Sequence, residues 1–131
     1  MDNTKLGVAI HGAGWVAGAH TASWIKNPGV QVVSISDVNK DRARQLAARY
    51  GIDCSIRDNF EEVLRDERVS VVDVTGPSHV HAEQAIAAAE AGKHFLVEKP
   101  MGLTLQENRA LCAAAERTGV RSLVGFVLRW N

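Results

Sequence analysis

The chain has 131 residues, of which 46% are hydrophobic, and its 15 Lys and Arg side chains balance 15 Asp and Glu side chains. A net charge of zero argues against nucleic acid or an anionic membrane surface as the main partner. No apolar run reaches membrane length and the N-terminus carries no signal-peptide pattern, so we expect a cytoplasmic protein with one domain over residues 1–131.

Strand and helix patterns alternate along the whole chain. Short, nearly continuous apolar runs predict six strands, at residues 6–10, 30–36, 54–56, 69–75, 94–97 and 121–127. Segments with helical periodicity predict five helices between them. These are residues 15–26, residues 41–50, a helix after a capping-box pattern at Asp58 and Glu61, a helix that ends at Gly92, and a helix from a second capping box at Thr104 and Glu107 to Gly119.

This alternation predicts an α/β fold with a doubly wound parallel sheet of the Rossmann type. The strands are apolar along almost their whole length, as expected when helices cover both faces of a sheet. We expect the strand order 3-2-1-4-5-6, which places a switch point between strands one and four. Ligands bind at such a point, at the carboxyl ends of the strands.

The first strand is followed by Gly12-x-Gly14-x-x-Ala17 and then by a helix, which is the dinucleotide-binding pattern in its Gly/Ala form. Gly12 can adopt the positive φ of a tight turn, Gly14 lets a pyrophosphate approach the backbone, and Ala17 lets the helix pack close to the strand. Such spacing by itself also fits a structural turn rich in glycine. The strand before it and the helix after it favour the dinucleotide interpretation.

Asp37 ends the second strand, at about the distance of 20 residues that this pattern requires of a ribose-binding acid. A carboxylate at this position accepts hydrogen bonds from the adenosine ribose and repels a 2′-phosphate, which favours NAD over NADP. Lys40 and Arg42 lie close enough in sequence to weaken that preference, so NADP stays possible. The alternative role for Asp37 is a cap of the second helix.

The fourth strand ends in Thr75-Gly-Pro-Ser-His-Val-His81, a loop that would face the glycine turn across the switch point. Pro77 stiffens it, and Thr75 and Gly76 can bring backbone close to a nicotinamide. For His81 a site role and simple helix-terminal packing are balanced, whereas packing is favoured for His79. Their i, i+2 spacing argues against a metal pair.

The fifth strand ends in Glu98-Lys99-Pro100. Two opposite charges and a proline at the end of a buried strand are hard to explain as core. A lysine held there over a cleft would stabilise a developing alkoxide and donate a proton, with Glu98 orienting it. The alternative is a surface turn with a salt-bridged lysine. His20 is interpreted as a packing residue, and the separated Cys54 and Cys112 predict no metal or redox site.

Taken together, these motifs resemble the glucose–fructose oxidoreductase / inositol dehydrogenase / MocA family over nearly the whole chain. The matching segments are Gly12-Ala-Gly-Trp-Val-Ala-Gly-Ala-His20, Asp37, Pro77-x-x-x-His81, Ala91-Gly-Lys-His94, Glu98-Lys-Pro100 and Val124-Gly-Phe-Val-Leu-Arg-Trp130. The Glu-Lys-Pro motif, five βα steps into the chain, is the most specific of them.

The resemblance implies an NAD(P)-dependent oxidoreductase that acts on a sugar, polyol or related alcohol, with Lys99 as the catalytic residue. The residues implied to contact the cofactor are Gly12, Gly14, Trp15 and Val16 at the pyrophosphate, Asp37 at the ribose, Thr75, Pro77 and His81 along the nicotinamide side, and Glu98 near the cofactor. No metal is implied.

Members of this family continue into a second α/β domain that supplies most of the substrate pocket, and this sequence stops where that domain would begin. We therefore expect the cofactor-binding half of such an enzyme, incomplete as a catalyst alone, which either self-associates through exposed Phe126, Leu128 or Trp130 or joins a partner substrate domain. A non-catalytic nucleotide-binding module, and a subunit that completes its site with another chain, remain as alternatives.

Overall fold

The computed structural model describes residues 4–130, with only the backbone at Trp130, and shows strands and helices in strict alternation. The strands are β1 Leu6–His11, β2 Val30–Ser36, β3 Ser55–Arg57, β4 Val71–Val74, β5 His94–Glu98 and β6 Ser122–Gly125. The helices are α1 Trp15–Trp24, α2 Lys40–Tyr50, α3 Phe60–Arg65, α4 His81–Glu90 and α5 Leu105–Thr118. Two 3-10 turns, Ser78–Val80 and Val127–Trp130, precede α4 and follow β6.

All six strands pair in parallel in the order β3-β2-β1-β4-β5-β6, which confirms the predicted topology. The chain leaves β1 toward β2 on one side and returns to β4 on the other. The connections that follow β1 and β4 therefore run to opposite sides of the sheet, which makes the position between the ends of these two strands the switch point.

Helices cover the two faces of the sheet with two separate apolar clusters. Adjacent residues of β1 point to opposite faces, since Ile10 packs with α1 and α2 whereas Ala9 packs with α3, α4 and α5. Ala17 is fully buried in the first cluster, so the small residue predicted in the glycine motif does bring α1 close to the strand. This layering fixes where each helix begins relative to the switch point.

Several element ends differ from the sequence-based prediction. Helix α1 ends at Trp24 rather than at residue 26, with Ile25 as its last cap. Strand β6 ends at Gly125 rather than at residue 127, because the Phe126 N–H turns back to the Val124 carbonyl over 2.8 Å and a 3-10 turn follows. Strand β4 is likewise shorter, starting at Val71 and ending at Val74.

The predicted helix caps are confirmed at one helix and wrong at another. Thr104 and Glu107 form the reciprocal capping box of α5. The predicted box at Asp58 does not form, because Asn59 is the N-cap of α3 and its side chain accepts from the Glu61 N–H over 2.9 Å. An Asn side chain is short enough to accept from the amide two residues on, which makes it a strong N-cap.

Apolar side chains are exposed at the end of the described chain. Phe126 and Leu128 are 47% and 83% exposed, which confirms their predicted exposure, whereas the side chain of Trp130 lies outside the described residues. Leu123 of β6 is exposed as well. Among the described residues, no helix combines the length and the apolar character that crossing a membrane would require.

Candidate functional site

The turn after β1 is built around Gly12, whose φ of +100° is the positive value predicted for it. A Cβ at this position would lie 2.3 Å from the Gly76 nitrogen and 2.7 Å from the Thr75 carbonyl carbon. The turn after β1 and the loop after β4 therefore touch backbone to backbone, and only glycine fits between them.

Gly14, by contrast, faces open space, since a Cβ there would have no neighbour within 4 Å. It is the N-cap of α1 and offers no side-chain bond to the first amides of the helix. These N–H groups carry the positive end of the helix dipole, so this terminus suits an anion. Next to it, Trp15 is 96% exposed and Val16 is half-buried.

A polar cleft extends from this turn along α2. Its lining residues are Ala13, Gly14, Trp15, Arg42, Gln45, Leu46 and Arg49. The two arginine side chains place positive charge near the open helix terminus, which favours phosphate groups in the cleft. The cleft thus extends from the predicted pyrophosphate position along one side of α2.

Asp37 directly follows β2, is 7% exposed and bonds to Ala13, one of the residues that line the cleft. Its Oδ2 accepts from the Ala13 N–H and its Oδ1 accepts from the Asn39 N–H, each over 2.8 Å. Asn39, not Asp37, is the N-cap of α2. The carboxylate orients the glycine turn, and each oxygen keeps a second lone pair for a ligand hydroxyl.

His11, which the sequence analysis did not single out, lies beneath the turn. Its Nδ1 shares a 2.7 Å hydrogen bond with Ser36 Oγ, and its ring stacks on Phe60 with the ring centroids 4.1 Å apart. Burial lowers the pKa of His11 to about 4, against the opposing charge of Asp37. The ring is therefore neutral at pH 7 and supports the turn rather than supplying charge to it.

Thr75 and Pro77, predicted along the nicotinamide side, have different exposures. Thr75 is 3% exposed, and its hydroxyl donates to the Gly12 carbonyl over 2.7 Å. Pro77 is exposed and precedes the 3-10 turn Ser78–Val80. The buried Thr75 hydroxyl thus connects the loop after β4 to the turn after β1, whereas Pro77 lies at the surface of the site.

His81 is 2% exposed and bridges two loops instead of facing the cleft. Its Nε2 lies 2.8 Å from the Gly76 carbonyl oxygen, and its Nδ1 lies 2.8 Å from the Pro100 carbonyl oxygen. Each ring nitrogen thus lies within hydrogen-bond distance of a backbone carbonyl oxygen from a different loop. The side chain is a brace between the β4 loop and the β5 loop, and His79 is exposed beside it.

Glu98 and Lys99 follow each other at the end of β5. Glu98 is 8% exposed, and its Oε2 accepts from the Lys99 backbone N–H over 3.1 Å. The Lys99–Pro100 peptide bond is cis. Lys99 is exposed, lines an apolar pocket with Phe126, Val127 and Leu128, and has no ion-pair partner for its ammonium within residues 4–130.

A buried polar cluster stands behind Glu98, and the sequence analysis missed it. His20 of α1 contacts Glu98 Oε1 through Nε2 over 2.8 Å and the Asp73 carboxylate through Nδ1 over 2.9 Å. The Trp24 indole N–H donates to the same Asp73 carboxylate over 2.6 Å. The available signals were a carboxylate inside the apolar β4 and the i, i+4 spacing of His20 and Trp24 on α1.

The protonation of His20 follows from these neighbours. Burial by itself lowers its pKa, but hydrogen bonds and charge from Asp73 and Glu98 outweigh burial and raise the pKa to about 8. The ring was expected to be an ordinary packing residue, and that interpretation is wrong. It is a cation held between two carboxylates at neutral pH.

The predicted site residues therefore gather at one edge of the sheet, where β1, β2, β4 and β5 end. Four of them are exposed there: Gly14, Trp15, Pro77 and Lys99. The side chains of Thr75 and His81 are buried instead and form hydrogen bonds to backbone carbonyls. In the part of the chain that the structure describes, no group of three or more His, Cys, Asp or Glu residues could hold a metal ion.

Comparison with known families gives a match over residues 6–126 to the Gfo/Idh/MocA model, described as an oxidoreductase family with an NAD-binding Rossmann fold. The match starts at β1 and ends just after β6. It thus covers the glycine turn, Asp37 and the Glu98-Lys99-Pro100 segment.

Named relatives give the same assignment. The levoglucosan dehydrogenase of Pseudarthrobacter phenanthrenivorans is 35% identical, with 95% of this chain and 34% of the relative covered. The scyllo-inositol 2-dehydrogenase (NAD(+)) of Bacillus subtilis is 36% identical, with 94% and 36% covered. This chain thus spans about a third of the length of the curated relatives it matches.

A solved structure extends the similarity to three dimensions. Levoglucosan dehydrogenase in complex with NADH and levoglucosan superposes with a TM-score of 0.88 at 32% sequence identity. The match covers 95% of this chain and 36% of that chain. The Rossmann fold and the order of its strands are therefore shared with an enzyme whose structure contains NADH.

The brace at His81 gives a testable expectation. Replacing His81 with Leu removes its contacts with the Gly76 and Pro100 carbonyls. Since a hydrogen bond contributes about 0.5–1.5 kcal/mol, we expect the free energy of unfolding to fall by about 1–3 kcal/mol in urea titration. The matched change His79→Leu removes an exposed imidazole two residues away and should cost less than about 0.5 kcal/mol. Equal stability of the two variants would contradict the brace.

Proposed function

This chain belongs to the Gfo/Idh/MocA oxidoreductase family, and we propose that it is the cofactor-binding part of an enzyme that transfers hydride between NAD and a sugar, polyol or related alcohol. One observation carries the proposal. An uncapped helix terminus beside Gly14, the Asp37 carboxylate and the exposed Lys99 lie along the same edge of the parallel sheet. Each suits a different part of a dinucleotide and its substrate.

The glycine turn is proposed to hold the pyrophosphate. The free space at Gly14 admits a phosphate close to the first amides of α1, and the helix dipole stabilises its charge. Trp15 and Val16 flank this position from the helix side, and Gly12 sets the shape of the turn. An indole that is 96% exposed gains burial when a ligand covers it.

Asp37 is proposed to accept hydrogen bonds from the adenosine ribose. A charged acceptor at the end of β2 rejects a 2′-phosphate, so NAD is preferred. The guanidinium groups of Arg42 and Arg49 in the same cleft reduce the electrostatic cost of NADP without removing the carboxylate. NADP therefore remains a weaker ligand rather than an excluded one.

Lys99 is proposed as the catalytic residue. A bound nicotinamide would supply the hydride acceptor. In the oxidation direction the neutral Lys99 amine would take the proton of the substrate hydroxyl, and in the reduction direction the Lys99 ammonium would return that proton to the developing alkoxide. Lys99 directly follows Glu98 in the sequence. The Glu98 carboxylate accepts from the Lys99 backbone N–H and so holds that backbone in place. A cation at this position stabilises the developing alkoxide.

The loop after β4 is proposed to contact the nicotinamide side of the cofactor. Pro77, exposed above the loop, would make the direct contact. Thr75 and His81 would act by fixing the Gly76 backbone, since both are buried and bonded to other loops. Glu98, whose carboxylate bonds to His20 and to the Lys99 backbone N–H, would act near the cofactor by fixing that backbone.

The substrate class is proposed from the relatives, whose names indicate levoglucosan and scyllo-inositol. Both are polyhydroxylated rings, and oxidation of a secondary alcohol needs the hydride acceptor and proton acceptor that this site would offer. Partner groups that hold the other hydroxyls are proposed to come from a further domain or a second chain. The exposed Phe126, Val127 and Leu128 beside Lys99 are the surface at which that partner would pack.

A non-catalytic module that binds the nucleotide alone is the second candidate. The free ammonium of Lys99 disfavours it, because a binding module has no need of an exposed lysine beside an apolar pocket. A Lys99-dependent reduction of NAD by a polyol or sugar would support the oxidoreductase, whereas NADH binding without any turnover would support the binding module.

The pyrophosphate assignment predicts the effect of Gly14→Val. The side chain enters open space, so the fold should persist, but it occupies the phosphate position. We expect NADH affinity, measured by fluorescence titration, to fall at least about tenfold, a loss of about 1.4 kcal/mol. Gly29→Val, an exposed glycine at the opposite edge, should bind NADH as the unmodified protein does. Normal binding by folded Gly14→Val would reject the assignment.

The ribose assignment predicts that Asp37→Ser weakens NAD binding. Losing a charged acceptor costs about 1.5–3 kcal/mol, so calorimetry should show a fall of about tenfold or more. The affinity for NADP should fall less, so the difference in affinity between NAD and NADP becomes smaller. Asp53→Ser removes an exposed carboxylate at the amino edge of the sheet and serves as the control. An unchanged NAD affinity in Asp37→Ser argues for a purely structural Asp37.

The catalytic assignment predicts that the 131-residue chain binds NADH yet reduces NAD only slowly with a panel of polyols and sugars. Positioning of the reactants supplies roughly 7–11 kcal/mol of such a barrier, and Lys99 is exposed to solvent. Any turnover should vanish in Lys99→Met and persist in Lys26→Met. Light scattering on the same sample tests self-association. Fast turnover by the chain alone would show that it builds its own pocket.

A further inference from the structure

We propose that His20 is a positioning residue for Lys99: its ring holds one oxygen of Glu98, and the other oxygen of Glu98 holds the Lys99 backbone N–H. The proposal rests on the proposed function only for the role of Lys99. The arrangement of His20, Glu98 and the Lys99 amide stands on its own geometry.

The first step is the continuous chain of hydrogen bonds. His20 Nε2 lies 2.8 Å from Glu98 Oε1, and the Lys99 N–H donates to Glu98 Oε2 over 3.1 Å. One carboxylate thus links an imidazole on α1 to the backbone at the end of β5. Any rotation of the Glu98 carboxylate that breaks one bond strains the other.

The second step is the anchor on the far side of the ring. Nδ1 of His20 contacts the two oxygens of Asp73 over 2.9 and 3.1 Å, and Asp73 is fully buried in β4. The Trp24 indole donates to the same carboxylate. The imidazole therefore cannot swing away from Glu98 without abandoning a buried charge, which is costly.

The third step is the space in which Glu98 sits. Gly125 of β6 pairs with Glu98 of β5, and a Cβ at Gly125 would lie 2.8 Å from Glu98 Oε1. The missing side chain leaves room for the carboxylate to turn toward His20. Even Ala at this position would push the carboxylate away from the ring.

The fourth step is the proton. The charged groups that face the ring are Asp73 from β4 and Glu98 from β5, and the pKa of His20 rises to about 8 despite its burial. This folded value lies above the ordinary 6.5. The stabilisation is therefore complete below about pH 6.5 and is lost as the pH rises through 8. Above that, the ring can donate to only one carboxylate.

The test is NMR spectroscopy of the whole chain between pH 6 and 9.5, with the His20 ring and the Lys99 backbone amide observed together. We expect the Lys99 amide to shift with a midpoint near pH 8 that matches the midpoint of the His20 ring. In His20→Gln this transition should disappear from the Lys99 amide. In His79→Gln, which changes an exposed imidazole, it should remain.

His81 also contacts this segment, at the Pro100 carbonyl, so its effect on the same amide has to be separated from that of His20. Persistence of the Lys99 transition in His20→Gln would overturn the proposal. Gly125→Ala keeps His20 intact and covers the case in which His20→Gln does not fold. In Gly125→Ala the Lys99 amide should no longer shift with the same pH midpoint as the His20 ring. If the two midpoints still coincide in that variant, the proposal is overturned.

A merely structural brace would lower the melting temperature of His20→Gln without a shared titration at Lys99, and that result also rejects the proposal. Failure of the proposed function is read separately. If the unmodified chain binds no NADH while His20 and the Lys99 amide titrate together, the cofactor assignment fails and the positioning role is supported.

Discussion

The backbone contact between Gly12 and Gly76 is the constraint on which the rest of the site depends. With no room for a Cβ between them, the turn after β1 and the loop after β4 meet directly at the switch point of the sheet. Thr75 fastens this contact through the Gly12 carbonyl, and Asp37 holds the same turn through the Ala13 N–H. The direction of the open α1 terminus is therefore set by backbone packing together with two buried side chains that bond to the turn.

A second constraint is the buried charge of Asp73, His20 and Glu98. Removing ions from water is costly, and a buried ion pair seldom stabilises a protein more than well-packed apolar residues of the same size would. Its benefit is geometric, because charged partners with satisfied hydrogen bonds admit one arrangement of α1, β4 and β5. These hydrogen-bonded charged groups thus define the position of the Lys99 backbone more tightly than apolar packing alone would.

The sequence predicted the glycine turn from its residue types and the sheet order from the alternation of strands and helices. The exposure of Phe126 and Leu128 was predicted from the family resemblance. The cluster at His20 was missed. A histidine on a helix reads as packing until the fold brings it against Asp73 and Glu98, which are far away in the chain. The same holds for His81, since its two carbonyl partners belong to loops whose approach only the tertiary structure reveals. The cap at Asn59 was missed by one residue, because Asp58 satisfied the same local pattern.

The polar groups of the site divide into those that the protein has used and those it leaves free. Thr75, His81 and Glu98 spend their hydrogen bonds on neighbouring backbone and side chains, so they define shape. The first amides of α1 and the Lys99 ammonium have no such side-chain partners within residues 4–130. Both are positive, and they stand along one edge of the sheet, after β1 and after β5. A ligand that is anionic at one end and develops negative charge on oxygen at the other matches that distribution, as a dinucleotide with an alcohol substrate does.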